Sequence, residues 1–391
     1  QHFVYNRDGR KIPTLCLGDF IDSEITSTFE EKVHKKEIAD NKLRCTPYTD
    51  QVTEEQKRKF LATLGVDRIR KKVDRFYDRL CELTFIEQNN IREPVVTYDL
   101  TPEFRNKKFT AEDFHSKTTW QQLLYESIFE ALGYSQNKSI MQKLAQSVDV
   151  QYLSKTFIDQ PIIQIEASLF NIGGLAPKIT EFNKDKVSEY VRNISQSWET
   201  LSKIYDGQTF DETDWHFFRL RPHNFPTVRI AGGARLINEI LNKKLIEVII
   251  TKIKEIKNYN VLINSIRSLF IVKAEGYWHN HYVFEDNTNM RIKYFVGAAR
   301  ADEIVINIII PFFILYFDIF HQPENSRRVL KMYHIYIQKG ENRIVHDVAD
   351  SLNISDLLRR TIYTQGMLEL FRNYCSKGKC MECEIGKVVF E

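Results

Sequence analysis

Three cysteines crowd the end of the chain. The run NYCSKGKCMECEIGKVVFE places Cys375, Cys380 and Cys383 within nine positions of one another. Its C-x2-C pair has the spacing that lets two thiolates face one metal ion on a glycine-containing turn. A closed site needs a fourth ligand. Cys45, in NKLRCTPYT, is the best candidate because it sits at a proline-containing break between helices, whereas Cys81 falls in a long helical pattern and Cys16 in an apolar strand. Such a set would hold zinc or an iron–sulfur cluster; the other reading is unliganded thiols.

Arginine supplies the second chemistry. In WHFFRLRPHNFPTVRIA, Trp215 to Ala231, Pro226 is placed for the first turn of a helix, and Arg219, Arg221, Arg229 and Arg235 approach or follow that turn. Guanidinium groups at a helix N-terminus can bind phosphate, and they can equally tie loop carbonyls and acidic partners beneath an aromatic layer. Arg68, Lys72, Arg75 and Arg79 recur at helical spacing beside Asp67, Asp74 and Asp78, which describes either a phosphate-binding edge or a solvated, salt-bridged face. His279 and His281 in GYWHNHYVFED could reach one side of an extended segment, but a lone H-x-H favours packing among the neighbouring rings over metal binding. The glycine pairs in NIGGL and IAGGA read as close packing, since neither forms a P-loop or dinucleotide fingerprint. No complete catalytic constellation is present, and no small-molecule substrate is identified.

Elements must position these groups. The 391 residues are 43% hydrophobic and 12% aromatic, ample for packed cores, and the formal net charge of +3 requires any basic surface to be local. Six cysteines without a leading hydrophobic signal point to a reducing compartment, the cytoplasm. The run IVINIIIPFFILYFDIF, Ile304 to Phe320, contains Asn307, Pro311 and Asp318 and is read as a buried core helix, with no membrane span. Short strands are expected at the start, HFVYN and KIPTLCLGDFI, and at the extreme C-terminus, KVVF; from Ser23 the period is helical. Ile69, Val73, Phe76 and Leu80 mark one long amphipathic helix. The expected class is mainly α, stacked amphipathic helices, organised as 1–22 (β segments completing an upstream domain), 23–117 (long helix and irregular excursion) and 118–391 (helical domain with the cysteine cluster).

The motifs IQIEASLFNIGGL, FFRLRPHNFPTVRIA, YWHNHYVF, IVINIIIPFFILY, KGENRIV and TQGMLELFRNYCSKGKCMECEIG occur in order over most of the chain. On them it resembles the bacterial family called domain of unknown function 2851. The resemblance implies an upstream segment similar to restriction-endonuclease-type nucleases, with a Gly-Pro-Asp motif and a later glutamate, to which the opening strands would belong. It implies no activity for the residues present here. The expectation is a helical nucleic-acid-binding and scaffolding region of a nuclease-like protein, contacting DNA or RNA phosphates through Arg219, Arg221, Arg229, Arg68, Lys72, Arg75 and Arg79. The alternative is a scaffold for a protein partner, without nucleic acid.

Overall fold

A computed structural model of the chain describes residues 4–5, 11–12, 43–91, 102–157, 161–180, 185–288, 291–338, 340 and 342–390. Cys16, the expected boundary near residue 22, the helical reading of 23–42 and much of the proline-rich excursion lie outside them. The fold is mainly α, and strands among the described residues form three two-stranded antiparallel pairs: Val4–Tyr5 with Lys11–Ile12, Val272–Lys273 with Tyr294–Val296, and His281–Val283 with Asp286–Asn287. The first pair agrees with the expected β opening.

The strand expected at KVVF is corrected, because Glu384–Phe390 is a helix. Four residues cannot separate a period of 2 from one of 3.6. Packing decides it: Ile385 and Gly386 are buried while Val388 and Phe390 are 43% and 42% exposed, the pattern of one helical face. The strands at 272–296 were not expected, since pairs of two or three residues are too short to show alternation.

Two compact units gather from discontinuous segments, one from 1–64, 342–358 and 366–391, the other from 65–341 and 359–365. The expected long helix is Glu54–Gln88. It starts at a reciprocal cap, in which the Thr53 amide donates to Gln56 Oε1 (3.0 Å) and the Gln56 amide to Thr53 Oγ1 (3.2 Å). Glu54 and Glu55 then suit the positive end of the helix dipole. Ile69, Phe76 and Leu80 are buried as the apolar stripe requires.

In the larger unit the helix Lys117–Leu132 is buried almost throughout and packs on the helices Lys138–Ser147 and Pro226–Leu241. Gly233 of IAGGA permits the approach of Pro226–Leu241, since a Cβ there would meet the Phe129 ring at 2.7 Å, and Gly232 admits the strand Tyr294–Val296, where a Cβ would meet Phe295 at 2.8 Å. The apolar run is the buried π-turn Val305–Ile309 followed by the helix Ile310–Ile319. Pro311 lies in the first turn after the π-turn, where its missing N–H is tolerated. Among the described residues no helix is long and apolar enough to cross a membrane.

Candidate functional site

The arginine loop lies in the larger unit. Pro226 opens the helix Pro226–Leu241 as expected, and Phe225 before it is extended, the backbone that a following proline demands. Upstream, Arg219 is held at φ +59°, the left-handed region uncommon for a side chain with Cβ. Its guanidinium carbon lies 5.0 Å from the centre of the Phe218 ring, and Phe218 is 69% exposed. Arg219 and Arg221 are both exposed.

Arg229, by contrast, is only 5% exposed. It donates to the Phe295 carbonyl and to Asn224 Oδ1 (2.7 Å), neutral acceptors both. Its Nε is buried without a hydrogen-bond partner among the described residues, and Tyr134 carries both its guanidinium (4.9 Å) and that of Arg300 (3.4 Å). Burial pulls the Arg229 pKa down to about 10; the Tyr134 phenol acts in the opposite sense and the Arg300 charge adds to the fall. Burial, then the charges of Arg229 and Arg221, also lowers the pKa of His223. Arg235, six residues further along the same helix, pairs with buried Glu166 at 2.6 Å, and Tyr190 and Trp278 extend that network.

The basic edge of the long helix is engaged within the same unit. Arg75 makes two hydrogen bonds to Glu130 (3.2 and 2.9 Å), and Arg79 makes two to Glu126 (2.9 and 3.0 Å) and one to Glu82 (2.7 Å). Arg68 donates to Gln365 Oε1 at 2.8 Å, and Lys72 donates to Asn307 Oδ1 and Gln365. A polar cavity of about 640 Å³ opens beside Arg79, lined among others by Gln122, Glu126, Asp149, Tyr152 and Tyr205. Burial raises the Asp149 carboxyl above its ordinary value despite the amides of Tyr152 and Gln151 that it caps.

None of those cavity partners was singled out from the sequence. The signal existed: Glu126 and Glu130 repeat at i, i+4 on one helix as Arg75 and Arg79 do on another, and 75 to 130 with 79 to 126 is the pairing of antiparallel helices. His281 stacks on Tyr277 at 3.8 Å and its Nδ1 lies 2.7 Å from the Tyr277 carbonyl, so that ring is held by packing.

The cysteines belong to the smaller unit. Cys375 and Cys380 each open a 3-10 turn, Cys375–Lys377 and Cys380–Glu382, with Gly378 between them at φ +66°. The Cys383 amide closes the second turn on the Cys380 carbonyl (3.1 Å). Cys45 caps the 3-10 helix Thr46–Gln51, which packs on the C-terminal helix, with Tyr48 and Phe390 ring centres 6.4 Å apart. Cys45 is thereby within electrostatic reach of the others: burial, then Cys383 and Cys380, pushes its thiol up to about 11, and Cys375 is raised by burial and by Cys45, Cys383 and Cys380. Cys81 is buried in the long helix, apart from this group. Among the described residues no three His, Cys, Asp or Glu side chains are arranged, as they stand, to hold a metal ion.

Residues 101–343 match the family described as protein of unknown function (DUF2851). No curated protein and no solved structure matches the chain.

Proposed function

The chain belongs to the DUF2851 family, proteins of unknown function, and on that footing we propose that its larger unit binds the phosphate backbone of nucleic acid through the loop Phe217–Phe225. The observation that carries this reading is the exposed Phe218–Arg219 pair, held out by a left-handed backbone with Arg221 beside it. Strained non-glycine backbone concentrates at functional sites. An exposed ring next to guanidinium groups is the combination that single strands use, bases on the aromatic face and phosphates on the cations. Arg229 would add positive potential, since its hydrogen-bond partners among the described residues are neutral acceptors. Arg68, Lys72, Arg75 and Arg79 have partners inside the unit, so the loop arginines bear the weight of the proposal. Those internal ties favour the second reading, a helical scaffold for a protein partner.

Fluorescence anisotropy with short single- and double-stranded DNA and RNA separates the two. Binding is expected at low salt, weakening steeply as salt rises, and Arg219→Ala with Arg221→Ala should reduce the slope of log K against log salt by about 2. Phe218→Ala should weaken single strands more than duplex. The pH dependence has a definite sign: burial, then the cationic neighbours Arg229 and Arg221, hold the His223 pKa below its ordinary value, a bound phosphate would raise it, and affinity should strengthen as pH falls through that range. Absence of binding at low salt would leave the scaffold reading in its place.

A further inference from the structure

We propose that Cys45, Cys375, Cys380 and Cys383 together bind one zinc ion as a closed four-thiolate centre within the smaller unit. Of the five described cysteines, these four belong to the smaller unit, where the turn Thr46–Gln51 that follows Cys45 packs on the helix Glu384–Phe390 that follows Cys383, although Cys45 lies more than 300 positions before the others. The fold brings them there by specific means. A Cβ on Gly386 would be driven into the Cys380 carbonyl, so the start of the C-terminal helix is pressed against the turn that carries that cysteine. Gly378 faces Arg44, the residue before Cys45, with 3.9 Å between the position of its missing Cβ and an arginine Nη1.

The backbone amides of Gly386 and Ile385 hydrogen-bond the Cys383 sulfur, donors that would steady it as a metal ligand although burial opposes its charged form. Four thiolates around a divalent ion leave a net charge of about −2. Cations surround the site to offset it: Arg44 at Gly378, buried Lys57 acting on Cys45, and Lys377 and Lys379 on the turn, against Glu384 and a Glu382 that Lys379 already pairs at 2.9 Å.

As placed, the sulfurs do not yet form a ligand set, and the proposal requires them to converge by rotation about the one side-chain torsion each cysteine has. Binding displaces the four thiol protons to solvent as four sulfur–zinc bonds form. The C-x2-C turn and the absence of an open ligand position suit a structural zinc, with no reaction assigned to it.

The full chain, expressed with both zinc and iron supplied and purified without oxygen, tests this by elemental analysis, absorption and mass-spectrometric alkylation of the native protein. About one zinc per chain is expected, lost at least tenfold in Cys45→Ser and Cys383→Ser and retained in Cys81→Ser. Should the serine variants fail to fold, alkylation of the unmutated chain decides: Cys375, Cys380 and Cys45 should be protected until a chelator is added. Iron with acid-labile sulfide in place of zinc would overturn the zinc assignment. Absence of any stoichiometric metal, or zinc retained in Cys45→Ser, would overturn the site.

Discussion

Arg75 and Arg79 stand one turn apart and meet glutamates one turn apart, yet burial makes them unequal. The Arg79 side chain is 16% exposed against a Glu126 side chain at 2%, whereas Arg75 is 54% exposed against Glu130 at 11%. Removing Arg79 leaves the buried Glu126 carboxylate with the neutral amides of Gln122 and Gln146 but without that charge, and Arg79→Ala is expected to destabilise the protein by about 3–5 kcal/mol. Arg75→Ala leaves Glu130 its contact with Lys138 at 2.9 Å and should lose less than about 1 kcal/mol. Urea denaturation of the two variants checks the order, and equal losses would refute it. Residue types were legible here and partners were not: charges repeating at helical spacing announce an edge, but whether water, phosphate or a second helix meets it depends on residues about 50 positions away.

At the level of elements, helix existence followed from local pattern and helix approach from glycine. Gly366, within the helix Thr361–Asn373, faces Leu61 of the long helix in the smaller unit so closely that an added Cβ would collide with the Leu61 carbonyl oxygen. Backbone cannot yield as a flexible side chain does. Gly366→Ala should therefore destabilise by about 1–3 kcal/mol, although alanine is the better helix former; a thermal midpoint equal to or above that of the unmutated chain would contradict the close crossing. An isolated glycine inside a helical pattern hints at such a contact without naming the partner. The misread KVVF shows the opposite limit, since a segment shorter than one full period takes its form from what it packs against.

Across the molecule, the smaller unit depends on chain ends meeting. Phe60 lies 6.1 Å from Tyr374 between ring centres, Lys57 donates to the Leu352 carbonyl at 2.9 Å, and Arg58 pairs with Asp356 at 2.6 Å. A chain ending at residue 341 loses all three partners. Trypsin should then cleave it after Lys57, Arg58 or Lys59, in a segment that the 391-residue chain protects, and equal resistance of the two would refute this dependence. Composition and periodicity by themselves determined the mainly α class, the long helix, the buried apolar run and the start of the arginine helix at Pro226, because each is set within a few turns of chain. Only tertiary structure decided that the long helix turns its arginines toward Glu126 and Glu130, that Arg229 is buried while Arg219 and Arg221 are exposed, and that the turn after Cys45 packs on the C-terminal helix. Those outcomes depend on which distant surfaces exclude water together, and that is a property of the assembled core, absent from any local stretch of residues.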